Sequence, residues 1–247
     1  MHPIFRQTYT VDDLATDCFG RLKSSMLLYY LQEAAGDHFS QLEDKADPIA
    51  QKHLFWAVTR HRLLINRLPL LGETITVETW PMPTTRVAYP RAVFFYDENG
   101  QELARAVSLW VLMDTRSRAM VLPGKSGVVV DGTIRGNEPE VPKSLIPRDL
   151  PNMQTVRVTY SLLDINGHMN NTRYLDWVSD LLPAQFHAEH NPVEITLCYL
   201  SEAREGQEIC LHYSLSETGE LLVDAHRAHT SVHEKTERVF SAQVRFL

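Results

Sequence analysis

The sequence predicts an α+β protein in which one helix followed by a run of antiparallel strands occurs twice. Three observations carry that expectation. An apolar stripe at helical spacing, Leu27, Leu31, Ala34, Ala35 and His38, is followed by four strand-like segments. The same order of strand, turn, helix and four strands returns after an interval rich in Gly and Pro. Sliding the chain along itself by 147 residues places Asp17 under Asp164, Gly20 under Gly167, Leu28 under Leu175 and Tyr30 under Trp177, which reads as an internal duplication.

In chain order, residues 6–11 form a short strand and Asp17 to Lys23 a turn. Ser24 or Ser25 then caps a helix that runs to about Phe39. Strands follow at 54–64, 73–80, 86–96 and 104–113, with DENG at 97–100 as a hairpin turn. The helix must cover one face of the sheet for both apolar surfaces to be buried. The chain from Pro123 to Pro151 has no sustained periodicity and serves as a connection, so the expected organisation is residues 1–125, a linker at 126–150, and residues 151–247. The second half is read as a strand at 154–160, the turn DINGHMNN, a helix capped by Asn170 or Asn171 and ending at Leu182, and strands at 193–200, 207–214, 221–230 and 238–246. SETG at 216–219 mirrors DENG.

A chain of 247 residues with an apolar fraction of 44% can enclose a core, and its apolar runs are too short to span a bilayer. The N-terminus shows neither a hydrophobic leader nor an Arg-rich transit pattern, which sets cytoplasmic as the expected location. Cys18, Cys198 and Cys210 form no C-x-x-C pair and are expected to be reduced. A formal charge of −7 argues against non-specific nucleic-acid binding, which needs a surplus of cations facing phosphate.

Reactive side chains concentrate in DINGHMNN, where a carboxylate, an amide and an imidazole alternate at Asp164, Asn166 and His168, ahead of a helix bearing Tyr174, Leu175 and Val178. A helix start there would offer free N–H groups to an oxyanion, and Asp164 and His168 could handle protons near neutral pH. The same residue types also build ordinary turns. The first copy has Phe19 and Arg21 in place of Asn166 and His168, keeping the turn residues and dropping the reactive ones, so one half is expected to be active and the other supporting.

These residues resemble the acyl-acyl carrier protein thioesterases over nearly the whole chain. That family's D-x-N-x-H motif falls on Asp164, Asn166 and His168, and its Y-x-x-E-C segment is similar to the stretch Tyr199, Leu200, Ser201, Glu202, Ala203. The resemblance implies two tandem hotdog domains, each a long helix wrapped by an antiparallel sheet, with the acyl-chain pocket in the first and catalysis in the second. It carries over Glu202 as a second catalytic carboxylate beside Asp164, Asn166 and His168. Ala203 stands where the family has cysteine, which argues against a Cys–His nucleophile. The implied reaction is hydrolysis of fatty acyl-ACP to free fatty acid and holo-ACP, ending fatty acid synthesis. Whether Glu202 attacks or activates water stays open. The implied acyl tunnel runs between helix and sheet, with Leu27 and Leu31 in its lining.

Single-domain acyl-CoA thioesterases share the D-x-x-G-H-x-N-N pattern. An acyl-CoA thioesterase, a hotdog hydratase or dehydratase, and a non-catalytic acyl-thioester sensor are therefore the alternatives. No cofactor and no metal are expected. His226, His229 and His233 have metal-like spacing only on a helix, and the segment reads as strand; His187 and His190 form a second pair. Cys198 and the tryptophans Trp56, Trp80 and Trp110 read as packing. The resemblance names acyl carrier protein as partner, with Arg60, Arg62, Arg116 and Arg118 as candidates for its docking surface and a homodimer left open.

Overall fold

The structure, a computed structural model, describes residues 4–42, 48–228 and 237–247. The chain forms two units, Met1–Pro142 and Lys143–Leu247, each an antiparallel sheet with a small helical layer. No helix among the described residues is long and apolar enough to cross a membrane.

The first unit runs β1 (Phe5–Thr10), α1 (Ser24–Leu42), α2 (Pro48–Gln51), β2 (Leu54–Ile65), β3 (Thr74–Pro81), β4 (Tyr89–Tyr96), β5 (Glu102–Asp114), β6 (Met120–Val121) and α3 (Pro123–Ser126). Its sheet has the order β1-β3-β4-β5-β2, with β6 paired to β5. Alternation decides which side chains meet α1. Phe5 stacks on His38 and Tyr9 on Tyr30, so the face holding Phe5, Tyr9 and their partners Thr79 and Ile75 lies under the helix. Leu27, Leu28, Leu31 and Ala34 of α1 are fully buried there, with Val77, Val93, Phe95 and Leu63 of the sheet. Each such Leu, Val or Phe side chain contributes roughly 1.5–3 kcal/mol relative to exposure, more than the propensity of the helix itself supplies.

The opposite face packs Trp80, Met82, Ala92, Phe94 and Val107 together. Residues 128–142 cross it as a strap. Arg135 lies over the Trp80 ring at 5.0 Å and bonds Glu78 at 3.3 Å, and the N–H of Thr133 donates to the Pro81 carbonyl at 2.9 Å. Gly132 makes this possible, because a Cβ there would sit 1.9 Å from the Met82 carbonyl carbon.

The second unit runs β7 (Asn152–Arg157), a 3₁₀ turn (Tyr160–Leu162), α4 (Arg173–Asp180), α5 (Ala184–Glu189), β8 (Pro192–Tyr199), β9 (Glu208–Leu215), β10 (Glu220–Arg227) and β11 (Arg238–Phe246), with sheet order β8-β11-β10-β9-β7. Tyr174 of α4 packs on Tyr199 and Phe240, and Phe186 of α5 packs edge-on to Phe246. The helix read as ending at Leu182 ends at Asp180, and a second short helix, α5, follows where the sequence reading placed none. Pro183 cannot donate an N–H to a continuing helix, and it serves as the N-cap residue of α5. The fourth strand of the first half begins at Tyr89 rather than 86, because Thr85 accepts from and donates to Ala88 in a local turn. The last residues of the segment read as 221–230 lie outside the described residues, as do His229 and His233.

Candidate active site

The turn from Asp164 to His168 closes on its own backbone. The N–H of Asp164 donates to the His168 carbonyl at 2.8 Å, and that of Gly167 to the Asp164 carbonyl at 3.0 Å. This geometry needs a left-handed residue, supplied by Gly167 at φ 73°. One carboxylate oxygen of Asp164 accepts the backbone N–H groups of Asn166 at 2.8 Å and His168 at 3.2 Å. The other oxygen takes the Asn166 side-chain amide at 3.4 Å. Asp164 therefore works inward, holding the loop's shape.

The closed loop is then laid against the chain that follows β8. Leu163 bridges Met169, His168 bridges Arg204, and the N–H of Met169 donates to the Ala203 carbonyl at 2.8 Å. That pairing brings Glu202 to the imidazole: His168 Nε2 lies 3.2 Å from Glu202 Oε2, with side-chain exposures of 16% and 41%. Arg204 Nη2 stands 3.8 Å from the same carboxylate oxygen, and Arg227 Nη2 donates to the Glu202 carbonyl at 2.8 Å. All four residues singled out from the sequence thus share one loop pair. Asn166 is exposed at its tip, bonded to Asp164 and not to Glu202 among the described residues.

The expectation of a helix capped by Asn170 or Asn171, with its free N–H groups at the reactive turn, needs correction. Pairing of Met169 with Ala203 comes first, then a turn in which Asn170 Oδ1 accepts from Thr172 N at 3.0 Å and Thr172 Oγ1 at 2.9 Å. The helix begins only at Arg173, with Thr172 as its N-cap residue, and the N–H of Arg173 is already bonded to the Asn170 carbonyl. Asn170 caps the turn, and the helix amides do not adjoin Gly167.

Two tyrosines tie the site to the core. The Tyr199 hydroxyl, whose pKa is pushed well up by burial of the group, donates to the Asn171 carbonyl at 2.9 Å. The Tyr174 hydroxyl is pushed up to about 12 by burial, while a hydrogen bond with the Ala203 backbone and the charge of Arg227 pull it the other way. Sequence reading used Tyr174 as an apolar helix position and Tyr199 as a motif letter. A tyrosine within an otherwise apolar stripe was the available signal, since a buried hydroxyl requires a partner.

The first unit repeats this loop almost bond for bond. Asp17 Oδ1 accepts the N–H groups of Phe19 and Arg21, both at 2.9 Å; Gly20 has φ 73°; Thr16 bridges Leu22; Arg21 bridges Leu70; and the N–H of Leu22 donates to the Pro69 carbonyl at 2.7 Å. The difference is chemical. Arg21 turns back to Asp17 at 2.9 Å, and Leu68 stands at the Glu202 position, two residues before Leu70 as Glu202 stands two before Arg204. The first loop keeps the fold of the turn without a base or an imidazole.

Other residues fall into structural places. Cys198 is buried, its thiol directed at the Lys143 carbonyl at 3.7 Å. His187 and His190 sit on α5 and bond the Ser179 and Phe186 carbonyls, each at 3.0 Å. His226 packs edge-on to His212. Arg60 and Arg62 reach the strap, at the Pro142 carbonyl and Glu140, while Arg118 lies over Phe55 and Arg116 meets His53. Chemically, the site offers a half-exposed carboxylate, an imidazole 3.2 Å from it, an amide donor at the loop tip and nearby guanidinium charge. That set can take a proton from water and stabilise developing negative charge.

The model of the acyl-ACP thioesterase N-terminal domain matches residues 2–122, and that of the C-terminal domain matches residues 147–244. A chloroplastic palmitoyl-acyl carrier protein thioesterase of Gossypium hirsutum is 24% identical over 214 residues, covering 81% of this chain and 52% of the relative. A chloroplastic dodecanoyl-[acyl-carrier-protein] hydrolase of Cinnamomum camphora is 25% identical over 217 residues, covering 81% and 56%. The chain thus spans about half the length of the curated relatives it matches. Among solved structures, an acyl-ACP thioesterase from Bacteroides thetaiotaomicron VPI-5482 superposes with a TM-score of 0.86 at 22% identity, covering 99% of this chain and 98% of the other. The 12:0-ACP thioesterase from Umbellularia californica does so with 0.81 at 21% identity, covering 99% and 97%. Both likenesses concern the α+β fold with its large antiparallel sheets.

Proposed function

The chain belongs to the acyl-ACP thioesterase family, and from that premise we propose that it hydrolyses a fatty acyl thioester carried by acyl carrier protein, releasing the fatty acid that ends its synthesis. In this reading the two units are tandem hotdog domains, the first holding the acyl chain between α1 and the sheet and the second performing the chemistry. The observation that carries it is the 3.2 Å approach of His168 Nε2 to Glu202 Oε2 beside a loop clamped by Asp164.

The steps follow from the residues. Glu202, reachable by solvent, takes a proton from a water molecule as the water oxygen attacks the thioester carbonyl carbon. His168, 3.2 Å from that carboxylate, holds it in place, receives the proton from it and hands it to the departing sulfur. The Asn166 side chain has one N–H directed to Asp164 and a second to offer the developing oxyanion; such a donor is typically worth about 3 kcal/mol. Asp164 fixes the backbone that presents both. Three free thiols, Cys18, Cys198 and Cys210, support a reducing compartment such as the cytoplasm.

Turnover of acyl-ACP and acyl-CoA across chain lengths, followed by thiol release, tests the assignment and separates the carrier. Asn166→Ala, His168→Ala and Glu202→Ala should each lower kcat by about a hundredfold or more while remaining folded. Wild-type turnover in all three would remove it. Thiol release also separates hydrolysis from hydration, which leaves the thioester intact.

A further inference from the structure

The α1-facing side of the first unit's sheet carries a row of polar side chains across its middle. Register places His61 of β2 beside Ser108 of β5, and Ser108 beside Arg91 of β4, so three polar side chains lie in a row. Arg91 retains only 9% of its surface. Its Nη1 donates to Thr79 Oγ1 at 3.1 Å and meets Nδ1 of His38, on α1, at 3.1 Å. Since a guanidinium can only donate, His38 Nδ1 is the acceptor and the ring proton sits on Nε2. Ser108 Oγ accepts the indole N–H of Trp110 at 2.9 Å.

No carboxylate bonds this guanidinium among the described residues. Glu78, the buried acid of the neighbouring strand, points to the other face, where Arg6 and Arg135 hold it. Burial pulls Arg91 down to about 10, so it stays charged at neutral pH, and pushes His61 down to about 3, so that ring is neutral. A buried cation without a counter-ion is strongly destabilising. Among the described residues, both side-chain hydrogen bonds of Arg91 use Nη1, which leaves Nε and Nη2 with N–H groups to offer. A fold stabilised only by packing would place an aliphatic side chain here.

We propose that this row is the polar floor of the first unit's ligand site, where Arg91 binds an acceptor oxygen, of a hydroxyl or a carboxylate, carried on the acyl chain far from its thioester. The assignment rests on the acyl chain lying between α1 and the sheet, as proposed above. A methyl-terminated chain reaching Arg91 would displace water and leave the guanidinium without a partner, whereas an oxygen-bearing chain restores one. Sites built to hydrogen-bond a substrate oxygen reject the analogue that lacks it far more strongly than apolar pockets reject an extra methylene.

Titration calorimetry of the whole protein with free fatty acids of graded length, their ω-hydroxy counterparts and the matching dicarboxylic acids tests this directly and separates hydroxyl from carboxylate. For at least one length an oxygenated acid should bind about tenfold or more tightly than the plain acid, Arg91→Met should abolish the preference, and Arg91→Lys should retain part of it. Equal affinities for plain and oxygenated acids at every length in the wild type would overturn the proposal without any variant, as would a preference unchanged in Arg91→Met. Should Arg91→Met fail to fold, Thr79→Val, which removes one bond to the guanidinium, should reduce the preference; an intact preference there counts against it. Thioester cleavage is measured separately. An Arg91-dependent preference in a protein that cleaves no thioester keeps the subsite and sinks the hydrolase reading; cleavage without the preference does the reverse.

Discussion

The duplicated loop allows the structural and chemical roles of one residue type to be measured apart. Asp164 and Asp17 each accept two backbone N–H groups through Oδ1, at 2.8 and 3.2 Å in one case and at 2.9 Å twice in the other. Hydrogen bonds to a charged acceptor contribute about 1.5–3 kcal/mol each when shielded. Both loops are partly exposed, so water can replace much of what is lost, and about 1–2 kcal/mol for each Asp→Ala change is the expected cost. For a chain of this size that lowers Tm by roughly 2–8 °C. The two variants should therefore melt at similar temperatures. Their kinetics should part: Asp164→Ala loosens the loop that presents His168 and Asn166 and should reduce kcat by about tenfold or more, while Asp17→Ala, whose loop holds Arg21 and faces Leu68, should stay within about twofold of wild type. Differential scanning calorimetry with a thiol-release assay on the same preparations gives both numbers. Equal kcat losses in the two variants, or a large loss in Asp17→Ala alone, would refute the division of labour between the units.

Other perturbations follow from the same geometry. Tyr199→Phe removes the partly buried hydrogen bond to the Asn171 carbonyl and should cost about 1 kcal/mol in denaturant titration, with a fall in kcat and little change in KM. Gly132→Ala places a methyl group against the Met82 backbone and should lower the denaturation midpoint sharply, whereas Gly136→Ala in the same strap, open on that side but at φ 94°, should cost less. His61 has a folded pKa near 3 against an ordinary value of 6.5, so the unfolded chain binds the extra proton first. Its contribution is complete above about pH 6.5 and is lost as pH falls toward 3; His61→Gln should flatten that limb of a stability-versus-pH curve measured by urea denaturation, and an unchanged limb would exclude His61 as its source.

Much of this arrangement was legible from residue order. The stripe of α1, the alternation of β3 and the DENG and SETG turns each follow from interactions within a few residues, where propensity and periodicity act. So does the DINGH turn, because an Asp that accepts amides two and four positions on, followed by a Gly free to adopt positive φ, builds the same loop wherever it occurs. The repeat at Asp17 and Gly20 made the duplication visible. The helix start was misplaced because Asn170 satisfies an equally local turn, and nothing local announces that Met169 must first pair with Ala203. α5 was missed since six residues after a proline carry too little periodicity to register.

What residue order determined by itself is the set of pieces: the strands, the long first helix and one loop rich in reactive groups, each dictated by contacts a few residues apart. Tertiary structure alone decided which distant side chains meet. The approach of His168 to Glu202, the anchoring of Asn171 by Tyr199, and the seating of Arg91 against His38 and Thr79 depend on strand register and on how a helix lies across its sheet. Those are set by the packing of entire apolar faces, a sum over many weak contacts that no short stretch of sequence contains.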